Sequence, residues 1–464
     1  MMNTCRHMHD LNQNIFQITQ LRNVYVQWSG FQHKVLKELH DQYGPFVRIG
    51  PNELSVIEVD AALAILGPGG LSKGRYYDPR RDPNAPGTLL ALHGQAHTDR
   101  RRIWSRAFTN ASLAEYEDAL VQRTESLIAR LGSLAPFPVD LSMWLSLFSL
   151  DFMGDMAFGQ GFNLLQMGCD SNKLQKMFEN GFIPISIVCQ IPWAWPIIQR
   201  LPFLAKNILR LRKFAIDHGK ARLAKGHETK DLWYHLSDEA SLEKQRPTVQ
   251  DIVADSTLAM IAGSDTTATG LSNLFYFLLC HPHCLKRVRD EIDDVYPKEE
   301  CPSSLAKHSQ LPYLTACINE CLRLLPPALS SGPREVLAGE GGRLFGGRFI
   351  PEGTQVYIPP YSIHRNPEYF SPGPDDFVPE RWLTADNVDN ILNLNAFIPF
   401  SYGPANCVGR NLARREMFMV ASGVIQKFDI RFADGYEPRF WLQELRDHFV
   451  SKRGPLLVTL SPRF

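Results

Sequence analysis

What the sequence lacks bounds it first. It has no net charge, with 49 Lys plus Arg against 49 Asp plus Glu, so no overall field draws it to nucleic acid or to an anionic membrane, and any electrostatic docking must come from a local patch. It has no cysteine framework. Nine cysteines, an odd number at scattered spacings, exclude a disulfide scaffold and point to a reducing, intracellular compartment. The first thirty residues lack an apolar run long enough to cross a bilayer and contain Arg6, Asp10 and Arg22. Neither a signal peptide nor an anchor is expected there, and residues 1–30 are predicted to be a polar extension ahead of one domain at 31–464. There is no internal repeat, low-complexity linker or second domain. A zinc site at Cys280-His-Pro-His-Cys284 is disfavoured, because the ligands crowd a proline with no second pair nearby, and a helix end fits better.

The chain is organised around Phe400-Ser-Tyr-Gly403-Pro-Ala405-Asn-Cys407-Val-Gly409-Arg410, followed by the helix-forming run Asn411-Leu-Ala-Arg-Arg-Glu-Met. A cysteine next to glycines and just ahead of a helix sits where the backbone can approach a metal and where free N–H groups favour a thiolate. Gly403 and Gly409 let such a loop turn and lie flat against a planar cofactor, while Phe400 covers one side of the sulfur. Cys407 is therefore read as a metal ligand in a heme-binding loop.

Other segments carry their own signals. Thr248-Val-Gln-Asp251 is a capping box, and the helix it opens runs to Cys280, close to about 50 Å at about 1.5 Å per residue. Midway stands Ala262-Gly263-Ser264-Asp265-Thr266-Thr267, small and polar in an apolar helix, where glycine costs about 1 kcal/mol relative to alanine. Something must press on the backbone there. His97 and Arg101 share a helix face, as do Glu320 and Arg323. Residues 67–90, rich in Gly, Pro, Asp and Arg, form a long connection of the kind that covers a site. Residues 180–199 carry no charge, and Pro184, Pro192 and Pro196 argue against a spanning helix. A lipid-dipping segment, with Trp193 and Trp195 at the interface, or a buried helix pair are the two readings. Residues 343–360 are predicted to form a hairpin turning at Pro351-Glu352-Gly353, and Leu456 to Leu460 to close another strand pair.

Taken together these motifs resemble the cytochrome P-450 family of heme-thiolate monooxygenases, and the anchorless, eukaryote-like sequence is closest in character to fungal members. The family's loop, Phe-x-x-Gly-x-Arg-x-Cys-x-Gly, is matched at Phe400, Gly403, Cys407 and Gly409 but not at Ala405, where the family carries a basic residue that pairs with a heme propionate. The resemblance implies a mainly α fold with small β-sheets, a single domain built as a triangular helical bundle around a buried heme b with Cys407 on the iron. It implies that His97, Arg101 and Arg334 hold propionates, that Gly263 gives room for an oxygen pocket where the helix bulges, and that Asp265 and Thr266 are the acid and alcohol that deliver protons. Glu320, Arg323 and Arg381 would lock together behind the heme as a core network.

The same resemblance implies electrons from NADPH through a separate flavoprotein reductase, with cytochrome b5 as a further donor. Arg410, Arg414 and Arg415, with Arg100 and Arg102, are candidates for the docking patch. It also implies the surface of the endoplasmic reticulum, with peripheral membrane contact through 180–199. Leu258, Ile261 and Ala262, with residues 328–331, should line an apolar pocket for a lipophilic small molecule. A terpenoid or other secondary metabolite is the first expectation. The alternatives are a xenobiotic or aromatic substrate, or a heme-thiolate isomerase or dehydratase, which would not need Asp265 and Thr266.

Overall fold

The computed structural model describes residues 20–464 except 82–85, 171–172, 199, 201, 227–229, 299, 301, 303–304 and 384–390. Of the extension expected at 1–30, residues 1–19 lie outside the described residues. Leu21–Ser29 is a helix (α1), not a tail. Its Asn23, Val26 and Gln27 are buried, Gly30 closes it at φ +73°, and Gln27 Nε2 donates to the Asp447 carbonyl at 3.0 Å. α2 (Gln32–Tyr43) follows, then β1 (Phe46–Gly50) and β2 (Glu53–Val56), an antiparallel hairpin as the alternating pattern predicts.

The hairpin is extended by strands from much later in the chain. β3 (Arg334–Glu335) and β4 (Gln355–Tyr357) complete a four-stranded sheet in the order β1-β2-β4-β3, with β2 and β4 parallel. The turn predicted at Pro351–Gly353 is not a hairpin turn. Arg343–Phe345 pairs with Arg348–Ile350 around Gly346 and Gly347, both at positive φ, because only paired glycines enter that tight turn without strain, and the next strand leaves to join β2. α3 (Val59–Leu66) packs a small apolar core onto this sheet.

Most of the chain is helical: α4 (Gly94–Ala107), α5 (Glu117–Leu134), α6 (Leu141–Phe158), α7 (Leu174–Val188), α8 (Pro202–Lys225), α9 (Val249–Cys280), α10 (Pro282–Val295), α11 (Pro312–Leu324) and α12 (Arg410–Lys427). α6 starts where Asp140 accepts from the Ser142 and Met143 amides and ends at Gly159 in the left-handed region. It is apolar all round, so it can only lie inside, against α9. The capping box of α9 is present as predicted. From Thr267 to Leu279 every α9 residue is buried, and His281-Pro282 separates it from α10. Cys280 and Cys284 belong to that junction, and no cluster of three or more metal-binding side chains occurs among the described residues. β5 (Phe428–Phe432) pairs with β8 (Leu457–Pro462), and β6 (Arg446–His448) with β7 (Val450–Lys452).

The uncharged stretch is not one straight helix. α7 continues through Pro184, and the chain then bends by 110° into Pro192–Ile198. No single helix among the described residues is long and apolar enough to cross a membrane. The bend separates the tryptophans: Trp195 is buried at 8% exposure, whereas Trp193 is 68% exposed, its indole N–H donating to Gln20 Oε1 at 2.8 Å.

Candidate active site

α9, α12 and the loop before it enclose a cavity of about 460 Å³. Cys407 opens onto it from the loop. Its sulfur is exposed to the cavity and enclosed by protein elsewhere. Its amide donates to the Phe400 carbonyl at 2.8 Å, so the two ends of the motif clasp each other and Phe400 joins the wall. Gly403 is required twice over, by φ +73° and because a Cβ there would lie 2.1 Å from the Leu66 carbonyl oxygen. Gly409 is not forced by protein atoms. A Cβ would meet Phe108 at 3.6 Å and the Cys407 sulfur at 4.0 Å, ordinary contacts. Burial raises the thiol pKa, while the Gly409 and Arg410 amides and the Arg101 and Arg410 charges pull it down.

One end of the cavity gathers basic side chains. His97 and Arg101 lie there from α4, Arg334 from β3, and Lys73 from the Gly- and Pro-rich connection. Lys73 is buried, its ammonium donating, among the described residues, to the Leu89 and Leu90 carbonyls at 3.0 and 2.9 Å. Burial, with Arg334 and Arg101 beside it, pulls its pKa down to about 7. Burial and the same charges hold His97 at about 4, neutral. Arg101 grips the Cys407 loop by Asn406, Nη1 to the carbonyl at 2.5 Å and Nη2 to Oδ1 at 2.6 Å. Arg334 Nε is buried without a partner. No carboxylate pairs with any of the four among the described residues. Uncompensated cations that repel one another are stable there only with an anion between them, and the two carboxylates of a heme fit that demand.

α9 forms the opposite wall. Leu258, Ile261, Ala262, Asp265 and Thr266, spaced at helical intervals, all face the cavity. α9 is unbroken here, without the bulge the resemblance implied, and Thr266 Oγ1 donates back to the Ala262 carbonyl at 2.6 Å. What presses on Gly263 is Met153 of α6, whose sulfur lies 2.6 Å from where a Cβ would stand. Asp265 is held by Arg453, just past β7. Its Nη1 reaches Asp265 Oδ1 at 3.2 Å and Thr269 Oγ1 at 2.6 Å, and its Nη2 reaches Ser146 Oγ at 2.6 Å.

Behind the loop, Glu320, Arg323 and Arg381 meet with no exposure. Arg323 chelates Glu320 through Nε and Nη2 at 2.8 Å each, Arg381 Nε donates to Oε1 and Trp382 Nε1 to Oε2, both at 2.9 Å. His364 links this network to the loop strand, Nδ1 at 2.9 Å from the Arg323 carbonyl and Nε2 accepting from the Ile398 amide at 3.0 Å. Two members of the expected docking patch are engaged elsewhere. Arg100 pairs with Asp251 and buried Asp255, tying α4 to α9, and Arg102 pairs with Glu243. Arg414 bonds Asn319, whereas Arg410 stays exposed.

Sequence reasoning missed Lys73, Arg453 and Glu416, the last a cavity-lining carboxyl that burial pushes well above the carboxylate range. Lys73 and Arg453 are each one of 49 basic residues, and nothing local marks them as buried.

The Cytochrome P450 family model matches residues 9–460. Cytochrome P450 monooxygenase FCK2 of Fusarium pseudograminearum is 32% identical, over 96% of this chain and 80% of its own. Trichothecene C-15 hydroxylase of Fusarium sporotrichioides is 32% identical, over 96% and 91%, and tryprostatin B 6-hydroxylase of Aspergillus fumigatus 31%, over 94% and 77%. With a match that leaves out only the first few residues and the last four, the chain belongs to the cytochrome P450 family and is a monooxygenase of it, with heme as cofactor and NADPH as the ultimate source of its electrons.

Proposed function

We propose that this protein inserts one oxygen atom of O2 into a lipophilic small molecule, a terpenoid or other secondary metabolite, with electrons from a separate NADPH-dependent flavoprotein reductase. The observation that carries the reading is the facing of the Cys407 sulfur by Asp265 and Thr266 across one largely apolar cavity. Two relatives are named as hydroxylases of trichothecene and of tryprostatin B, which supports a bulky metabolite over a xenobiotic.

Cys407 would bind the heme iron, and Lys73, His97, Arg101 and Arg334 would hold the heme carboxylates. The heme, when bound, supplies oxygen activation, which an anionic sulfur ligand favours. The remaining tasks fall to side chains. The α9 face of Leu258, Ile261 and Ala262 orients the substrate and excludes water. Asp265, at the cavity edge, takes protons from solvent, and the Thr266 hydroxyl, turned from the Ala262 carbonyl, passes them inward. Arg453 holds the Asp265 carboxylate in place at the cavity edge. A carboxyl and hydroxyl so placed are superfluous for an isomerase.

Arg410 and Arg415 beside the loop remain the candidates for reductase or cytochrome b5 docking. For the membrane contact, Leu21, Tyr25 and Trp28 form an exposed stripe along α1, and exposed Trp193 and Ile197 lie near its start, where Trp193 bonds Gln20. That face suits the surface of the endoplasmic reticulum.

The test is the carbon monoxide difference spectrum of the reduced protein beside Cys407→Ala. A thiolate-type Soret band in the parent, absent from the variant, is expected. An imidazole-like band in the parent overturns the reading.

A further inference from the structure

Arg80 ends the tight turn Arg75–Arg80 and lines the same cavity, its guanidinium against Tyr76 and Phe449, whereas the Lys73 ammonium lies against Tyr77. Lys73, His97, Arg101 and Arg334 act on one another. Arg80 acts on none of them, but on Tyr76, Tyr77 and Cys189, and Tyr77 feels both Arg334 and Arg80. It is thus a second cationic point in an apolar chamber.

Among the described residues no carboxylate pairs with it, and its polar contact is with the Tyr76 hydroxyl. Arg80 Nε and Nη2 are buried without partners. Its neighbours are rings, Phe449 at 4.0 Å and Tyr76 at 5.6 Å from the guanidinium carbon, and burial keeps Tyr76, Tyr77 and Cys189 protonated. Asp78, two residues before it, pairs with Arg81 instead. Ring contacts offset only part of the cost of a desolvated guanidinium with open N–H groups.

Phe449 adds an independent sign. It occupies the turn between β6 and β7 at φ +78°, a strained conformation for a side chain of this size, and its ring lies on Arg80. The strain is maintained where it fixes the plane of the guanidinium fork.

Building on the oxygenase reading, we infer that Arg80 recognises an acidic group on the substrate, so that the molecule oxidised is a lipophilic carboxylic acid. Its carboxylate pairs with the Arg80 fork, whose geometry matches two oxygens. Its apolar body runs past Leu90, Phe178 and Leu258 toward α9 above Cys407.

The experiment is a titration of the heme-loaded protein, reading the substrate-induced Soret shift. The probes are dodecanoic acid against methyl dodecanoate and dodecan-1-ol, and abietic acid against abietinol. In at least one series the acid is expected to bind roughly tenfold tighter than its neutral counterparts, as a charge-assisted pair implies. Arg80→Gln should abolish that preference while leaving the neutral probes unchanged, and Arg80→Lys should keep part of it. Three results overturn the inference: equal binding of acid and neutral probes, no shift with either acid, or an Arg80→Gln variant that weakens both kinds alike, which is what a purely structural arginine under Phe449 would do. Because the neutral probes and the carbon monoxide band report on the cavity and the thiolate separately, Arg80 can fail while the oxygenase reading stands.

Discussion

A lysine ammonium stripped of water and facing Arg101 and Arg334 is unstable unless an anion joins it, and among the described residues Lys73 bonds two backbone carbonyls. Its folded pKa of about 7 lies far below that of an unfolded lysine, about 10.4. Between those values the unfolded chain binds the proton and the folded one does not, so folding gains stability as pH rises through the window and gains none below it. Tyr77, His97, Arg101 and Arg334 share this end of the cavity, and His97 is already neutral there. For the heme-free protein, the urea midpoint should climb between about pH 7 and pH 9, and Lys73→Met should flatten the climb. In the loaded protein, Lys73→Met should release heme to apomyoglobin about tenfold faster, and Lys73→Arg should not. An unchanged release rate would remove Lys73 from the cradle. That Cys407, Asp265 and Thr266 line one cavity was legible because each stands in a local motif, a Gly-flanked loop and a polar break in an apolar helix. Lys73 was not, since burial and convergence from distant segments decide its role.

Whole elements were legible where periodicity or capping is strong, as in α9, and ambiguous where a bend decides. Over 180–199 both tryptophans suited a membrane interface, yet the 110° turn buries Trp195 and exposes Trp193. The two should therefore respond differently. Trp193→Ser combined with Trp28→Ser should weaken sedimentation with phosphatidylcholine vesicles by roughly tenfold or more, since each exposed ring can contribute about 1 kcal/mol or more on insertion. Folding should be unaffected. Trp195→Ser should instead destabilise the protein, by about 3 kcal/mol in urea unfolding, because it empties a packed site. If the double variant binds vesicles like the parent, this face is not the membrane contact. The predicted Pro351–Gly353 hairpin failed for a similar reason. Two turn signals lie six residues apart, and the partner of Gln355–Tyr357 is a strand some 300 residues earlier, which no local pattern announces.

At the scale of the whole molecule, Glu320 joins parts of the chain that sequence separates widely. Its two oxygens meet Arg323 of α11, Arg381, Trp382 and the Val378 amide, and Arg323 and His364 carry the tie on to the carbonyls at Pro374 and Asp376 and to Ile398 at the root of the Cys407 loop. Burial alone would raise the Glu320 pKa, but Arg323 and Arg381 hold it below the ordinary carboxylate value. A carboxylate with a lowered folded pKa adds stability above its unfolded pKa and loses it as pH falls through the folded one. The network should thus survive mild acid and fail only below the usual carboxylate range. Glu320→Gln keeps the shape and some hydrogen bonds but leaves two buried guanidinium groups without a counter-charge, a loss of about 3–5 kcal/mol. The exposed pair Lys286–Asp290 is the internal control, where Asp290→Asn should change stability by less than about 0.5 kcal/mol. Urea unfolding followed by the Soret band reads both terms at once. Heme should leave Glu320→Gln at a lower denaturant concentration than the parent, while Asp290→Asn tracks the parent. Equal midpoints for Glu320→Gln and the parent would mean that the network positions the Cys407 loop without stabilising it.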